Sequence, residues 1–508
     1  MKKYSEEMTK KIVFSLILLM GVTVGYRNAA AQSTYLSARN LSLGGGGAAY
    51  MTGYHAAFIN PANIGLFRGN SQFMLGLPGD FNVSSGGPLL NVAVYNKYFT
   101  KGYQLTDNQI SSALGSWFGA KDTDSRSFAF NVNVLPLAYI HKTAIGTFGA
   151  ALRFRTIGRV SVNKGLAEFM LRGLDQSYFS QTRPINFSNA TYSIASLSLS
   201  YATDIALGEH RKLFLGVAPK IIEGLNYFKS NFQSHLQISG DTLLEHQFNY
   251  DIYTVGNMTN DFQKFYDQRI SPNQNPSFSD IQLNSMTKGG IKGHGLGLDL
   301  GASYVYSFDG SVTRKNGLAR HVLVLSASVT DIGSVNFNKN AQKFSANNTF
   351  KWNGLNPNYQ QIDAKHDSSF SNYLNYVGQD SIARNIYGAF SPDNISSIHA
   401  KLPTMLHLGA YVKYGKLGLM LDYDKGMNNI GMNTRNTSFS VGAEYYLLNF
   451  LPIRAGYRTG GLTSNSFSVG TGLEFRNFHL EAGIMTIKSS MTRGYNISTA
   501  VSSLVLIF

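Results

Sequence analysis

The last dozen residues, Ile497 to Phe508, alternate between apolar or β-branched side chains and smaller ones, and the run ends on an aromatic residue. In lipid every backbone polar group must be paired within the protein, so an apolar strand of this kind has to join a closed sheet. We therefore expect a transmembrane antiparallel β-barrel whose last strand pairs with its first. The barrel-assembly machinery would recognise Phe508 as the assembly signal. Leu506, Leu504 and Ala500 would share one face, and a soluble edge strand is the alternative.

Residues 1–31 predict a signal peptide that directs export. Two lysines precede the apolar run Ile12–Gly25, and Ala29–Ala31 offers the small side chains that a signal peptidase requires. The apolar run is too short to span a bilayer. Because the chain has no Cys, it has no acceptor for a lipid anchor, no disulfide and no thiolate metal ligand. We expect an exported protein that starts near Gln32 and lies in the bacterial outer membrane.

Composition favours a barrel over an ordinary soluble domain. Charged residues make up 14% of the chain, against about 25% in typical soluble domains, while 51 Gly, 29 Tyr and 33 Phe suit barrel walls and aromatic girdles. The net charge is +15, and removal of the five basic and two acidic residues of the signal leaves +12. Basic residues are scattered singly, so nucleic acid is not an expected partner. Outer-membrane lipid and anionic lipopolysaccharide are the expected partners.

Candidate strands with one apolar face follow almost continuously after residue 125. In the segment 438–447, apolar residues at every second position, such as Val441, alternate with Ser440 and Gly442. Leaving out the weakest candidates gives about 14 strands of roughly 10 residues, an even number that closes a barrel. The other candidates lie at 126–140, 143–157, 191–205, 211–226, 293–308, 320–333, 406–414, 417–424, 451–458, 466–475, 478–484 and 497–508, with weaker ones at 70–78 and 89–98.

A soluble β-sandwich would also contain strands with one apolar face. Its apolar faces must meet in one core, however, and 508 residues with so many one-sided strands exceed the size of a single sandwich core. The predicted fold class is therefore all-β, as a barrel. Three polar stretches, 158–190, 227–290 and 334–402, are rich in Asn, Ser, Gln and Tyr. They are predicted to be extracellular loops, because periplasmic turns are short.

The segment before the strands, residues 32–66, has little alternation and is predicted to be a plug inside the barrel that residues 67–508 form. A barrel of about 14 strands encloses a lumen that its own side chains cannot fill. Asn60 and Pro61 favour a turn. A phosphate-binding loop would need Lys followed by Ser or Thr after its glycines, and this pair is absent. Glycine allows close backbone approach and positive φ angles, and the segment contains the run Gly44, Gly45, Gly46 and Gly47.

Ala38–Tyr50 and Ala56–Leu66 resemble the N-terminal segment of FadL-like outer-membrane channels and of the related PorV proteins. Ser326–Gly333, Phe350–Gly354 and Lys401–Thr404 resemble an uncharacterised Bacteroidetes-type barrel family within that group, which has no established activity. The resemblance implies an outer-membrane barrel that is either a channel for hydrophobic compounds or a partner of a secretion machine. The large loops depart from well-studied fatty-acid channels, and no ligand-contacting residue of those channels is identified here.

Charged residues on the polar side of the predicted strands are the candidate site. A charge that faces lipid at mid-bilayer costs about 2–4 kcal/mol, so these side chains are expected to point into the lumen. Two interpretations stay open: an ion-pair network across the lumen that holds the plug, and a substrate path. Mixed charge signs argue against a pore selective for ions of one sign. The residues are Arg153, Arg155, Lys220, Asp299, Asp422, Glu444, Arg454, Arg458, Glu474 and Glu481.

No catalytic or metal-binding motif stands out, so we expect no enzyme, no metal and no cofactor. The sequence lacks G-x-S-x-G and H-E-x-x-H, although His407 and His479 lie on polar strand faces. The expected function is the passage of small hydrophobic or amphipathic compounds across the outer membrane, with such a compound as ligand. A non-transporting barrel that docks a secretion machine or surface protein is the second candidate. A hydrolase at the barrel rim is the third.

Overall fold

The computed structural model describes most of the chain after the predicted signal peptide. Leu504, Phe508 and residues 1–34 lie outside the described residues. No helix within the described part is long and apolar enough to cross a membrane. The described residues are 35–67, 69–100, 105–173, 175–239, 243–270, 290–314, 317–352, 389–462, 465–475, 478–487, 496–502 and 505–507.

Long strands make up most of this part of the chain. The first eleven are β1 (Ser71–Gly86), β2 (Ser125–Thr143), β3 (Gly146–Asn163), β4 (Arg183–Gly208), β5 (Arg211–Ser239), β6 (Leu243–Thr254), β7 (Gly293–Ser307), β8 (Thr313–Arg314), β9 (Gly317–Leu318), β10 (His321–Phe337) and β11 (Gln342–Trp352). The others are β12 (Ser391–Asn394), β13 (Ile398–Lys401), β14 (Met405–Tyr414), β15 (Leu417–Gly426), β16 (Thr437–Leu448), β17 (Leu451–Gly460), β18 (Ser466–Glu474), β19 (Phe478–Ile487), β20 (Asn496–Val501) and β21 (Val505–Ile507).

Fourteen wall strands of the described chain form a closed antiparallel barrel, which confirms the predicted fold class. The wall consists of β1–β5, β7, β10, β14–β19 and a last strand made of β20 and β21. β1 closes it, because it pairs with β2 on one side and with β20 and β21 on the other. A closed sheet leaves no unpaired edge for lipid to meet.

The wall is polar inside and apolar outside, as the alternation predicts. On β18, Val469 is 56% exposed, whereas the neighbouring Ser468 is 3% exposed. Large apolar side chains such as Leu199, Leu325 and Leu408 are exposed on the outer surface of other wall strands. An apolar belt of this kind requires lipid, so the barrel is a membrane-spanning one.

The last strand differs from the prediction in one respect. Ala500 is 2% exposed and points inward, while Leu506 is 37% exposed, so the two lie on opposite faces. The prediction that they share a face is wrong because β20 ends at Val501 and β21 begins only at Val505. The break between the two strands shifts the alternation by one position.

Short turns join the strands at one end of the barrel, which is typical of the periplasmic end. They lie at 144–145, 209–210, 415–416 and 449–450. Long connections lie at the opposite end, and the strands extend further into them than the sequence predicts. Of the stretch 158–190, only 164–182 is a connection, since β3 and β4 occupy the remainder.

Helices occupy several connections. The prediction of a weak strand at 89–98 is wrong, because the Asn91 side chain accepts a hydrogen bond from Val94 N and caps a helix there. The helices are α1 (Ala38–Ser42), α2 (Val92–Tyr98), α3 (Asp107–Phe118), α4 (Lys164–Arg172), α5 (Gln176–Phe179) and α6 (Asn257–Ile270), and two 3₁₀ turns lie at Gly53–Phe58 and Pro61–Leu66.

A second layer of sheet extends beyond the wall at the long-loop end. The end of β5 from Phe228 pairs with β6, β6 pairs with β11, and β11 pairs with β12. With α6, these strands form what we call the extracellular sheet. α6 packs on one face of it, where the rings of Phe262 and Phe344 lie 4.9 Å apart. The stretches 227–290 and 334–402 are therefore only partly loop in the described residues, and the prediction missed β6, β11 and β12.

Candidate functional site

The described part of the N-terminal segment, residues 35–67, consists of α1 and two 3₁₀ turns and is almost wholly buried. Asn60 caps the second turn, because its side-chain oxygen accepts a hydrogen bond from the backbone two residues on. Pro61 is the first residue of that turn and packs on Gly216 of β5, where it fills the space that a Cβ would need. The segment therefore fits closely against the inner wall at this point.

The segment bridges the lumen between distant wall strands. Asn60 Nδ2 donates to Ser303 Oγ of β7 at 2.9 Å, while Gly44 N donates to Ser468 Oγ of β18 at 3.0 Å. Five wall strands separate β7 from β18 along the shorter path round the barrel. Both ends of the segment are thus fixed to inward-facing hydroxyl groups on different sides of the lumen.

The glycine run makes the tightest contacts with the wall. The φ angle is 94° at Gly44, 82° at Gly45 and 143° at Gly47, a region that only glycine adopts readily. Gly46 lies against Asp422 of β15, and a Cβ on Gly46 would overlap that carboxylate. Asp422 Oδ1 accepts hydrogen bonds from the next two backbone N–H groups, each at 3.1 Å. The run thus binds a carboxylate of the wall through its backbone.

Four buried charges form what we call the central network. Arg155 Nη1 lies 2.6 Å from Asp331 Oδ2, and Lys220 Nζ lies 2.8 Å from Asp331 Oδ1 and 2.6 Å from Asp299 Oδ2. Asp331 N donates to Asp299 Oδ1 at 2.6 Å, and the φ of Asp331 is 55°. Two cations therefore face two carboxylates, which leaves the cluster without net charge.

A second network surrounds Arg454. Its guanidinium lies 2.6 Å from Glu444 and 2.9 Å from Glu481, and it also contacts Glu474. Glu444 accepts a further bond from Arg39 of the N-terminal segment at 2.9 Å. The pairs within the wall join strands that are adjacent or one strand apart, and Arg39 connects them to the segment.

Arg458 belongs to a third network. Its guanidinium donates to Gly44 O at 3.3 Å and lies 3.4 Å from Asp424. His407 Nδ1 is 2.6 Å from Asp424 Oδ1, and His407 Nε2 is 3.0 Å from Thr330 Oγ1. Hydroxyl, imidazole and carboxylate follow in the order of a hydrolase triad. All three side chains are at most 2% exposed, and His407 lies inside the wall rather than at the rim, so a substrate has no access to them in this structure.

The inward arginines differ in how they meet the N-terminal segment. The guanidinium of Arg153 lies over the rings of Tyr35 and Phe58, at 5.1 and 5.2 Å. Arg458 contacts the segment backbone directly, whereas Arg454 reaches it through the carboxylate that it shares with Arg39. Arg155 instead forms its ion pair with Asp331 of β10.

A cavity of about 650 Å³ lies beneath the N-terminal segment at the short-turn end. Tyr50, Tyr54 and Arg39 of the segment line its inner part, and exposed residues of the 415–416 turn line its mouth. Its side reaches Gln72, next to the seam between β1 and the last strand. The cavity therefore extends from the middle of the barrel to the short-turn rim.

β1 is also irregular in its pairing with β2. The paired register with β2 jumps from Leu75 to Asp80, which are paired with Leu137 and Leu135. The ladder between β1 and β2 is thus interrupted at this height. Asp80 accepts a hydrogen bond from Tyr54 OH at 2.9 Å, so the N-terminal segment is attached to the wall beside this interruption.

Apolar side chains line the lumen at its long-loop end. They point inward from β3, β4, β5, β10 and β13, and loop residues Val255 and Ile430 pack against them. This layer lies next to the central network, since Ile194 on β4 is paired with Arg155 on β3. We call it the apolar lumen cluster: Ile157, Tyr192, Ile194, Ile222, Tyr227, Val335, Phe337, Ile398, Ala400 and Leu402.

His246 of β6 lies in the extracellular sheet, outside the membrane. Its Nε2 is 3.2 Å from Tyr250 OH, and its ring centroid lies 5.2 Å from that of Phe248. Burial among these rings lowers the pKa of His246 below its ordinary value, because the charged form loses its hydration.

Arg39, Asp331 and Asp424 are charged residues of these networks that sequence reasoning missed. Asp424 follows Asp422 by two positions on β15, so the alternation itself places both on the inward face. Asp331 lies within a bulge of β10, where the register with β7 shifts between Val329 and Ile332. A charged residue followed two positions later by Gly333 in an apolar strand is a signal for such a bulge.

Two comparisons with known proteins found matches. The family described as "Family of unknown function (DUF5723)" matches residues 61–484. Among solved structures, the Pseudomonas putida toluene transporter TodX has 12% identity and a TM-score of 0.43, covering 94% of this chain and 99% of that one. The Ralstonia pickettii toluene transporter TbuX gives the same four values. A Pseudomonas aeruginosa FadL homologue has 13% identity and a TM-score of 0.34, covering 95% and 98%.

At these identities the likeness to solved structures concerns the barrel architecture alone. No curated protein matches the chain.

Proposed function

The chain belongs to the family of unknown function DUF5723, and we propose that its barrel carries small hydrophobic or amphipathic compounds across the bacterial outer membrane. One observation carries this proposal: the long-loop half of the lumen is lined by the apolar lumen cluster, whereas a water-filled barrel is polar inside. Side chains such as Ile157, Tyr192 and Phe337 favour an apolar compound over a hydrated ion.

The charges of the central network and of the network around Arg454 argue against an ion-selective pore. In the central network two cations and two carboxylates compensate one another, and the carboxylates around Arg454 are held by that arginine and by Arg39. An ion-selective pore would instead present a ring of one sign. We propose that these networks hold the wall and the N-terminal segment in place.

We propose that residues 32–66 act as a plug that separates the apolar lumen cluster from the cavity at the short-turn end. The close fit of the glycine run against Asp422 and the bonds of Asn60 to β7 support this role. The interrupted pairing of β1 supports an exit for apolar cargo through the wall, since a ladder without partners separates at the lowest cost. We also propose that residues 1–31 are an export signal and that the barrel lies among lipopolysaccharide.

A second candidate is a partner barrel that docks a secretion machine or a surface protein, as PorV-like proteins do. The extracellular sheet favours it, because α6 covers one face of that sheet and the other face is polar and exposed to solvent. Pairs such as Lys343 with Asp251 and Lys351 with Glu245 lie on that polar face. A polar surface held this firmly outside the membrane is suited to protein contact.

Uptake by intact cells tests the transport proposal. The complete chain is expressed in a Gram-negative host whose own hydrophobic-compound channels are deleted, and entry of radiolabelled naphthalene is timed. We expect faster entry than in cells that make an unrelated barrel of similar size at an equal level. Equal rates would contradict transport and leave docking, which would then be sought by loss of a surface protein after replacement of residues 243–254.

A further inference from the structure

Unlike the central network, the cavity at the short-turn end has a lining whose charges are not balanced. Four cationic side chains line it, Arg39, Arg320, Lys413 and Lys416, against two carboxylates. Both carboxylates, Glu474 and Glu481, already contact Arg454. Among the described residues, neither Arg320 nor Lys413 forms an ion pair. The lining therefore carries an excess of positive charge.

Two buried hydrogen-bond donors in the same lining lack an acceptor in the described structure. Tyr50 is 1% exposed and its hydroxyl oxygen has no partner, and Arg39 Nε has none although the same guanidinium contacts Glu444. A buried polar group without a partner costs about 1–3 kcal/mol, so a molecule that supplies an acceptor to these donors would be stabilised here. Lys413 lies among the charges of Arg39, Glu444, Glu474 and Arg320, and both of these carboxylates already contact Arg454.

Aromatic and apolar side chains lie in the same lining, beside polar ones such as Gln72, Asn449 and Ser502. Tyr50 and Tyr411 lie with ring centroids 6.1 Å apart, and Phe67 and Leu318 lie in the same lining. A volume of about 650 Å³ is within the range of small-molecule sites and far exceeds the need of a single inorganic anion.

We propose that this cavity binds an aromatic carboxylate, with its oxygens among Tyr50, Arg39 and Lys413 and its ring against Tyr411. This inference rests on the proposed function, since it names an amphipathic cargo that the barrel would hold at its periplasmic side. The carboxylate supplies acceptors to donors that lack them and the negative charge that the cations lack. The ring fills an aromatic space in which face and edge contacts stabilise it.

Equilibrium binding to the complete chain in lipid nanodiscs, measured by titration calorimetry, tests the inference. The probes are 2-naphthoate and 2-naphthamide, which differ in charge but hardly in shape. We expect 2-naphthoate to bind at least about tenfold more tightly, since hydrogen bonds to charged groups contribute about 1.5–3 kcal/mol. Equal affinities, or no binding of 2-naphthoate, would overturn the inference.

Two variants test the placement. Lys413→Met should weaken 2-naphthoate about tenfold, and Tyr50→Phe, which removes one oxygen, should weaken it several-fold, about three to ten times, while neither changes 2-naphthamide affinity more than twofold. Lys425→Met is the matched control, because Lys425 is exposed at the far end of β15. Tight binding that is unaffected by both variants would place the ligand elsewhere and overturn the assignment.

The two proposals fail separately. If 2-naphthoate does not bind while naphthalene enters cells through the barrel, the carboxylate site is wrong and transport stands. If 2-naphthoate binds and both variants weaken it while naphthalene does not enter, the site stands and the transport proposal is wrong.

Discussion

Arg155 and Asp331 join across the lumen, with Arg155 Nη1 2.6 Å from Asp331 Oδ2, although three wall strands separate β3 from β10. Both side chains are 3% exposed, and Lys220 shares the same carboxylate. A contact between strands so far apart ties two parts of the wall together beneath the apolar lumen cluster. Because every partner is buried, removal of one partner leaves a charge without compensation.

Asp331→Ala should therefore destabilise the barrel strongly. The variant leaves Arg155 and Lys220 buried beside a single carboxylate, that of Asp299, and the expected loss is about 3–5 kcal/mol in the free energy of unfolding. Urea-induced loss of the heat-modifiable gel mobility measures it. Glu209→Ala, at an exposed turn, is the control and should be nearly neutral. An unchanged urea midpoint for Asp331→Ala would mean that the pair contributes nothing to stability.

Gly46→Val should loosen the N-terminal segment without preventing barrel assembly. A side chain at this position overlaps the Asp422 carboxylate. That carboxylate must then give up the hydrogen bonds that it accepts from two backbone N–H groups. We expect intermittent ion conductance in planar bilayers, whereas the complete chain stays closed. Gly115→Ala is the control, since a Cβ there meets nothing within 4 Å. Closed channels with Gly46→Val would show that this contact does not hold the segment.

The wall could be predicted from the sequence because alternation in a barrel has a direct physical cause. Val469 meets lipid and Ser468 meets the N-terminal segment, so each position has one acceptable polarity. The glycine run likewise indicates close backbone packing. Asp331 could not be placed by alternation, since it lies within a bulge, and its pairing with Arg155 exists only after the wall closes.

The extracellular sheet was missed for a different reason. One face of β6 and β11 meets solvent, so residues such as Asn249 and Asn347 occupy strand positions there. Asn is common in loops, so a long polar stretch is predicted to be a loop rather than a strand. The aromatic residues on the covered face, including Phe248 and Phe344, were the available signal.

The extracellular sheet should weaken as the pH falls below about 6.5, the ordinary pKa of His. Burial lowers the pKa of His246, so the folded sheet binds fewer protons than the open one, and its stability is present above that pH and lost progressively below it. Hydrogen exchange of β6 and α6 at pH 7.5 and 5.5 measures this. His246→Gln should reduce the pH dependence, while His235→Gln, at an exposed position, should not. Equal exchange at the two pH values in the complete chain would contradict the prediction.

Deletion of residues 35–66 with the export signal retained tests most directly whether the N-terminal segment closes a lumen that admits apolar compounds selectively. Ion conductance in planar bilayers is measured for the deletion variant and the complete chain, after both show heat-modifiable mobility. A lumen bounded by 14 strands admits water once the segment is removed. We therefore expect a steadily open, unselective channel for the deletion variant and a closed channel for the complete chain. An assembled variant that stays closed to ions would contradict it.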